Sequence, residues 1–299
     1  MGFIQLMDLS IVIPHLNRKR LLQECLSSIP PAADMLSYET IVVDNGSTDG
    51  SQEMVKRSFP KVSLLQNETN EGFGRATNRG FRLAQGRYFL CLNNDTIPLP
   101  HSLQILLSFM EEHPEASVSG GKILNRNGTL QSSARTFPGM ETAFFNRSSV
   151  LTRLFPKNPF SRRYLLSDWD HNSPRDVDWV SGSFFMIRRS TFETIGFFDE
   201  RFFLYCEDVD YCRRVKEAGS HVFYVPEAQI IHDTGYSGNK LNTLFFHHQS
   251  MYRFYKKYHS RNPLLDTAVF GGVALRFVVG VGFWATRKLF RGELRGASS

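Results

Sequence analysis

Cysteine is scarce in this chain: Cys25, Cys91, Cys206 and Cys212 are the only four in 299 residues. Their spacing fits neither a zinc site nor a C-x-x-C redox pair, which excludes a metal-stapled or disulfide-framed fold. All four lie in apolar or helical surroundings, and buried free thiols in a reducing compartment are expected. The first residues, MGFIQLMDLSIVIP, lack a basic segment, a long apolar segment and a cleavage site. Leu6 stands where a myristoylation signal needs Ser or Thr. The body of the chain is therefore expected in the cytoplasm. There is no internal repeat and no low-complexity tract. A G-x-G-x-x-G element after the first strand is also missing. The glycine-rich stretch NEGFGRATNRG comes after the third strand and has the wrong spacing, so a nicotinamide site is a weak reading.

What is present is ordinary for a globular protein, with 41% hydrophobic and 21% charged residues. The length suits one large domain, or one with a small appendage. The net charge of +6 is unevenly placed. From Met251 onward nine Lys/Arg face only Asp266 and Glu293, a net of +7, which leaves the rest at −1. A basic end on a near-neutral body predicts an anionic surface as partner.

LSIVIP is a short apolar β-branched run and predicts a buried strand. Leu21, Leu22, Cys25, Leu26 and Ile29 then have helical spacing. YETIVVD, KVSLLQ and RYFLCL are further strands. EGFGRATNRGFRLAQG predicts a helix closed by Gly86. Pro98 and Pro100 open another, carrying Leu103, Leu106, Leu107 and Met110 on one face. The alternation predicts a mostly parallel sheet flanked by helices. Residues 125–176 read as an irregular excursion, and HVFYVPEAQIIH as a pair of strands. We assign 1–240 to an α/β domain, with halves at 1–120 and 121–240. Residues 241–299 form a basic, apolar helical extension.

Ligands of such sheets bind at the carboxyl ends of the strands. Asp44 and Asn45 end the second strand, and Asn93, Asn94 and Asp95 end the fourth. The oxygen-rich second group suits a hard divalent cation. His232 ends an apolar strand, where an imidazole can serve the fold or complete a Mn²⁺ or Mg²⁺ site. Glu207, Asp208 and Asp210 follow the apolar FFLYC and open a helix that ends at Gly219. The helix dipole accounts for part of this charge. A carboxylate at an apolar mouth has a raised pKa and can accept a proton in a reaction.

Taken in order, SIVIPHLNRKRLLQECLSSI, ETIVVDNGSTDGS, NEGFGRATNRGF, YFLCLNNDT, the stretch from Asp178 to Gly219, and IIHDTG resemble the inverting family 2 glycosyltransferases. Within that family they resemble the rhamnosyltransferase-like branch. The pieces cover roughly residues 9–235. The resemblance implies a GT-A fold, a Rossmann-like central sheet flanked by helices. It implies a nucleotide-sugar donor, dTDP-rhamnose first and a UDP-sugar second, and a glycan or polyprenyl-linked glycan acceptor in bacterial surface polysaccharide synthesis. It implies that Asp44 accepts from a pyrimidine base, with Pro14, Asn17, Asn45 and Arg75 around the nucleoside. Asn93 and Asn94 lie by the ribose and diphosphate. Asp95 and His232 hold Mg²⁺ or Mn²⁺. Asp208 is the general base, Glu207 binds acceptor hydroxyls, and Trp179 and Gly182 line the acceptor pocket. Two departures stand out. His15 replaces the usual Thr or Tyr, and Asn93 and Asn94 replace acids. The rival readings are a UDP-sugar transferase of the same fold and a non-catalytic nucleotide-sugar-binding homologue.

The stretch Leu264–Thr286 is apolar and near the ~20 residues that span a bilayer, but Asp266 and Arg276 interrupt it. A helix lying on the inner face of the cell membrane is expected first. A buried or oligomer-contact helix comes second and a span third; homo-oligomerisation stays open. A nucleic-acid partner would rest only on the basic, aromatic Tyr252–Tyr258 stretch and is not expected.

Overall fold

The computed structural model describes residues 7–139, 158–233 and 240–296, by backbone alone for 240 and 287–296. The chain divides into two compact units, Met1–Glu200 with Glu207–Gly235, and Arg201–Cys206 with Tyr236–Ser299.

In the first unit β1 (Leu9–His15) is buried at every position. This is what an apolar β-branched run in the middle of a covered sheet requires. The chain passes through α1 (Lys19–Ala32) to β2 (Tyr38–Asp44), through α2 (Ser51–Ser58) to β3 (Ser63–Gln66), and through α3 (Phe73–Phe81) to β4 (Tyr88–Leu92). These strands pair in parallel in the order β3-β2-β1-β4. The chain leaves β1 on one side and returns on the other. That reversal opens a crevice at the carboxyl ends of β1 and β4, where open α/β sheets bind ligands.

Next come β5 (Thr96–Pro98), α4 (Ser102–Glu112), β6 (Ala116–Leu124), β7 (Leu130–Gln131) and β8 (Ala134–Arg135). Beyond them lie α5 (Pro159–Tyr164), β9 (Arg175–Asp176) and β10 (Trp179–Val180). The unit closes with β11 (Phe184–Arg188), α6 (Arg189–Ile195), α7 (Glu207–Glu217) and β12 (His221–His232). β11 is antiparallel between β4 and β6, and β12 is parallel to β6. The carboxyl ends of β4 and β12 and the amino end of β11 therefore share one edge of the sheet. Leu22, Cys25, Leu26 and Ile29 of α1 and Leu103, Leu106, Leu107 and Met110 of α4 join Ile11, Ile13, Leu90 and Leu92 in the core. Their three- and four-residue spacing gives each helix one apolar face.

Four local expectations are corrected. Gly86 does not close α3, which ends at Phe81. A Cβ at Gly86 would lie 2.5 Å from Ser10 N and 2.7 Å from Leu9 C, so this glycine admits the start of β1. Pro98 does not open α4. It ends β5, an edge strand antiparallel to β12, where a missing N–H is tolerated. The helix begins at Ser102, after His101 at φ 62°. Residues 221–232 are one strand and not two. Pro226 sits where the register against β6 shifts between Val225 and Gln229, so an irregularity absorbs its lost donor. Cys25, Cys91 and Cys212 are buried, but Cys206 is half-buried at φ 67°.

The second unit is built on α8 (Lys240–Tyr258) and α9 (Pro263–Gly296). Rings join the two helices: Phe245 and Phe277 at 6.0 Å, and Tyr252 and Phe270 at 5.3 Å. Asp266 accepts from Tyr255 Oη at 2.9 Å, Lys256 Nζ at 2.6 Å and Ser260 Oγ at 2.8 Å. Arg276 is half-buried and its charge is felt by His248 of α8. Both charges that interrupt the apolar stretch are thus turned toward α8. The exposed positions from Leu264 to Thr286 carry no charge, and Phe270, Leu275, Val278 and Phe283 are each more than half exposed. Pro263–Thr286 is long and apolar enough to cross a membrane, with mean hydropathy 1.8 and none of it buried.

Candidate active site

At the end of β2, Asp44 is fully buried. Its Oδ1 accepts from Gly46 N at 3.2 Å, Ser47 N at 2.9 Å and Gln52 Nε2 at 2.8 Å. Its Oδ2 has no partner among the described residues. A buried carboxylate oxygen with no donor is an acceptor awaiting one. Pro14 lies beside it in β1, paired with Val43. Asn17, at φ 47°, holds the neighbouring loop by accepting from Thr48 N at 2.7 Å.

Asn45 and Arg75 are used differently. Asn45 donates to Gly72 O at 3.3 Å and accepts from Asn67 Nδ2 at 2.7 Å, so both ends of its amide tie loops together. Arg75 pairs with Glu200 at 3.1 Å on an exposed face. Asn78, one turn on, donates to Phe198 O and accepts from Phe198 N, each at 2.9 Å. This face of α3 fixes the 198–200 segment.

After β4 three polar residues diverge. Asn93 N donates to Ser183 O at 3.1 Å and its Nδ2 to Ser183 Oγ at 3.1 Å, while its Oδ1 is buried without a partner among the described residues. Asn94 donates from Nδ2 to His15 Nδ1 at 2.7 Å. Asp95 takes an ion pair from Arg18 on Oδ2. Its Oδ1 lies 3.1 Å from His232 Nε2, without hydrogen-bond geometry. Strand β5 makes this meeting, because Thr96 pairs with His232 and Asp233 N donates to Asp95 O at 2.9 Å. Burial alone would raise the pKa of Asp95; His232 and Arg18 outweigh it and hold it low. Gln131 Oε1 lies 3.1 Å from His232 Nδ1. The amide's Nε2 donates to His232 O and Asn125 Oδ1, so Oε1 must accept and Nδ1 must carry a proton. Nε2 is then the ring atom that faces Asp95: protonated, it lowers the Asp95 pKa, and deprotonated, it offers the lone pair a metal-ligating histidine needs.

Across the Asn93–Ser183 link stands the acidic start of α7. Asp208 Oδ2 accepts from Gly182 N at 2.8 Å and Oδ1 from Val209 N at 2.8 Å. Burial raises its pKa, against those two N–H groups and the Arg135 charge. Glu207 is buried, with Oε2 unpartnered among the described residues. Burial first, then the charges of Asp208 and Asp210, push its pKa well above the carboxylate range. Asp210 is structural: fully buried, it pairs with Arg214 at 3.0 Å, and Arg214 also donates to Ile195 O and Phe197 O. Trp179 is buried and donates from Nε1 to Thr136 O at 2.9 Å. The Arg135 guanidinium lies 4.9 Å from the Trp179 ring centroid.

The raised Glu207 has a consequence for stability. The folded state holds its proton above the pH at which the unfolded chain releases it. Its stabilising contribution is therefore complete below the unfolded pKa and is lost as pH rises through the folded one. Glu207→Gln is expected to flatten that fall. Thermal melts from pH 5 to 9 should show the variant gaining on the parent toward high pH; a parallel pair of curves would count against an ionising Glu207.

Sequence reasoning did not find Arg18, Gln131 or Arg135. Gln131 and Arg135 sit in the irregular 125–176 stretch, where only strand register gives them neighbours. Arg18 does lie beside Asn17, but nothing in the sequence pairs it with a residue 77 positions away.

Comparison with known proteins fits this geometry. The chain is 34% identical over 281 residues to the N-acetylglucosaminyl-diphospho-decaprenol L-rhamnosyltransferase of Mycobacterium tuberculosis, covering 88% of this chain and 87% of that protein. It is 31% identical over 169 residues to the rhamnosyltransferase WbbL of Escherichia coli K12, covering 54% of this chain and 60% of that one. The crystal structure of S. aureus TarS superposes with a TM-score of 0.53 at 16% identity, over 88% of this chain and 42% of TarS. That likeness concerns the fold, a GT-A-type sheet flanked by helices. Residues 10–210, which carry every strand-end group described above except His232, match Glycosyl transferase family 2, and the chain belongs to that family.

Proposed function

We propose that this enzyme moves a sugar from a nucleotide sugar to a hydroxyl of a lipid-linked glycan, with dTDP-rhamnose as first donor and UDP-sugars second. The observation that carries the reading is the pairing of two centres on one sheet edge. The Asp208 carboxylate is held by Gly182 N–H, and the Asn93–Asp95 turn is joined to the same strand end through Ser183. The names of the mycobacterial and E. coli relatives support the sugar, and the first of them supports the acceptor class.

Asp44 Oδ2 suits the N3–H of thymine or uracil, which both donate there. The acceptor hydroxyl attacks the anomeric carbon as the carbon–oxygen bond to the diphosphate breaks. Its proton passes to Asp208, the electron pair leaves with the diphosphate, and the centre inverts. Glu207 is the partner for a second acceptor hydroxyl, and Trp179 and Gly182 shape that side of the cleft. Asp95 Oδ1 and His232 Nε2 fit a hard divalent cation, Mg²⁺ or Mn²⁺. No group of three His, Cys, Asp or Glu converges among the described residues, so diphosphate oxygens and water would complete its shell. When bound, such a cation neutralises charge on the departing diphosphate.

The test is nucleotide diphosphate release from dTDP-rhamnose and a panel of UDP-sugars, with a lipid-linked GlcNAc acceptor. Release from one donor is expected. Binding of donor by calorimetry with no release from any would instead favour a binding-only homologue.

We also infer that the second unit rests on the inner face of the cell membrane. The uncharged outer face of α9 and the Lys/Arg at 287, 288, 291 and 295 support this reading. Substituting Phe270, Leu275 and Phe283 with Ser in the full chain is expected to abolish flotation with phosphatidylglycerol vesicles. Equal flotation of parent and variant would remove the lipid contact from the reading.

A further inference from the structure

His15, which departs from the family's usual residue, sits at the carboxyl end of β1 and is 2% exposed. Both ring nitrogens are engaged: Nδ1 with Asn94 Nδ2 at 2.7 Å and Nε2 with Ser51 Oγ at 2.8 Å. Ser51 Oγ in turn donates to Asp49 Oδ1. Asp49 also accepts from Ser51 N at 3.1 Å and Lys19 N at 2.8 Å. These contacts hold its pKa low against burial, so it is a carboxylate.

One end of this chain fixes the other. A carboxylate only accepts, so the single Ser51 hydroxyl proton points at Asp49. Ser51 oxygen must then accept from His15, which places the ring proton on Nε2. The Nδ1 lone pair is left facing Asn94, and only the NH₂ end of that amide can satisfy it. The carbonyl oxygen of Asn94 therefore points away from the core, where it makes no hydrogen bond among the described residues. This orientation follows from the donor and acceptor count, independently of how an amide is placed. Burial lowers the His15 pKa to about 4, which keeps the ring neutral across the physiological range.

We propose that His15 is a positioning residue for the nucleotide sugar: its Nε2–H tautomer turns the Asn94 carbonyl outward as an acceptor for the 3′-hydroxyl of the donor's nucleoside sugar, which dTDP and UDP both carry. The proposal rests on the nucleotide-sugar reading of this cleft. It also separates the two asparagines of the turn. An outward carbonyl repels phosphate oxygens, so Asn94 serves the nucleoside sugar and not the diphosphate.

Two measurements test it. Long-range ¹⁵N–¹H correlation spectra of histidine-labelled protein are expected to show His15 as the neutral Nε2–H form at pH 6 to 8. In Ser51→Ala the ring loses its obligatory acceptor, and a mixture of tautomers is expected. Calorimetry with dTDP and with UDP, in Mg²⁺ and in EDTA, reads the consequence. His15→Leu is expected to weaken both ligands about tenfold. His15→Gln, which can accept from Asn94 and donate to Ser51, should recover most of the loss. The penalty should persist in EDTA, since a hydroxyl contact needs no cation. An Nδ1–H or cationic His15 would overturn the proposal. So would equal binding by parent and His15→Leu, or a penalty confined to Mg²⁺. Failure of the unaltered protein to bind either diphosphate would instead remove the nucleotide-sugar reading, and with it the role in binding. The tautomer spectrum would still decide whether the relay exists.

Discussion

Replacing Asp208 with asparagine is expected to lower turnover about 10³-fold while leaving nucleotide diphosphate affinity within about twofold, the usual size of a lost general base. Asparagine keeps the volume and can still accept from Gly182 N–H through its carbonyl, so the 182–184 corner should stay in place. What it loses is the capacity to take a proton and the second acceptor that meets Val209 N–H. The pH profile of the parent enzyme offers a second reading of the same group. Asp208 must be ionised to act, and burial raises its pKa. The rate should therefore climb with pH through a limb above the ordinary aspartate range. Arg135 opposes that shift, so Arg135→Met should move the limb to higher pH, and raising the pH should restore its rate. A variant that lost activity equally at every pH would assign Arg135 to structure alone. Turnover in Asp208→Asn within tenfold of the parent would remove Asp208 as the base.

Replacing Asp95 with alanine is expected to cost nearly as much, about 10²- to 10³-fold in turnover, or ~3–4 kcal/mol at 1.36 kcal/mol per tenfold. The change removes the Oδ1 that lies 3.1 Å from His232 Nε2. It also frees Arg18 from its ion pair. Cation dependence distinguishes the two losses. EDTA should bring the parent down to the level of Asp95→Ala, and Mg²⁺ should then rescue the parent but not the variant. Mn²⁺ binding followed by electron paramagnetic resonance in the presence of UDP gives a readout free of turnover. It should weaken in both Asp95→Ala and His232→Ala. If EDTA leaves the parent rate unchanged, the pairing of Asp95 with His232 serves the fold. If Asp95→Ala keeps a full response to Mg²⁺, the cation is held elsewhere.

The second unit shows how a charge can mislead when its direction is unknown. In sequence, Arg276 and Asp266 interrupt an apolar helix and speak against deep contact with lipid. In the fold Asp266 is met by three donors within 2.9 Å of it. Arg276 is half-buried on the α8 side. The interruption falls on one face, and the other face stays free of charge. Periodicity of 3.6 residues is enough to separate the faces once the inward one is known, but the sequence does not say which one that is.

By itself the sequence determined the first four strands, β1 to β4, and their carboxyl ends. An apolar β-branched run can only be buried, and the polar residue that follows must come out at the strand's carboxyl end, which placed Asp44, Asn93 and Asp95 on a ligand-binding edge. It determined the family too, because six short pieces in a fixed order carry more information than any one of them. It also located the acids of α7, and the family resemblance gave Asp208 and Glu207 their expected roles. Only the tertiary structure gave them their partners: Asp210 faces Arg214 in the core, Asp208 faces the Gly182 N–H, and Glu207 Oε2 is left buried without a partner among the described residues. It likewise decided that Asp95 meets His232, through the reversed β5, and that Arg75 belongs to Glu200. The physical reason is the range of the contact. Burial, strand direction and an i,i+4 pair such as Asp210–Arg214 are properties of local pattern, whereas the partners of Asp208, Asp95 and Arg75 lie 26 to 137 positions away and are chosen by how distant segments are brought together, which no local pattern encodes.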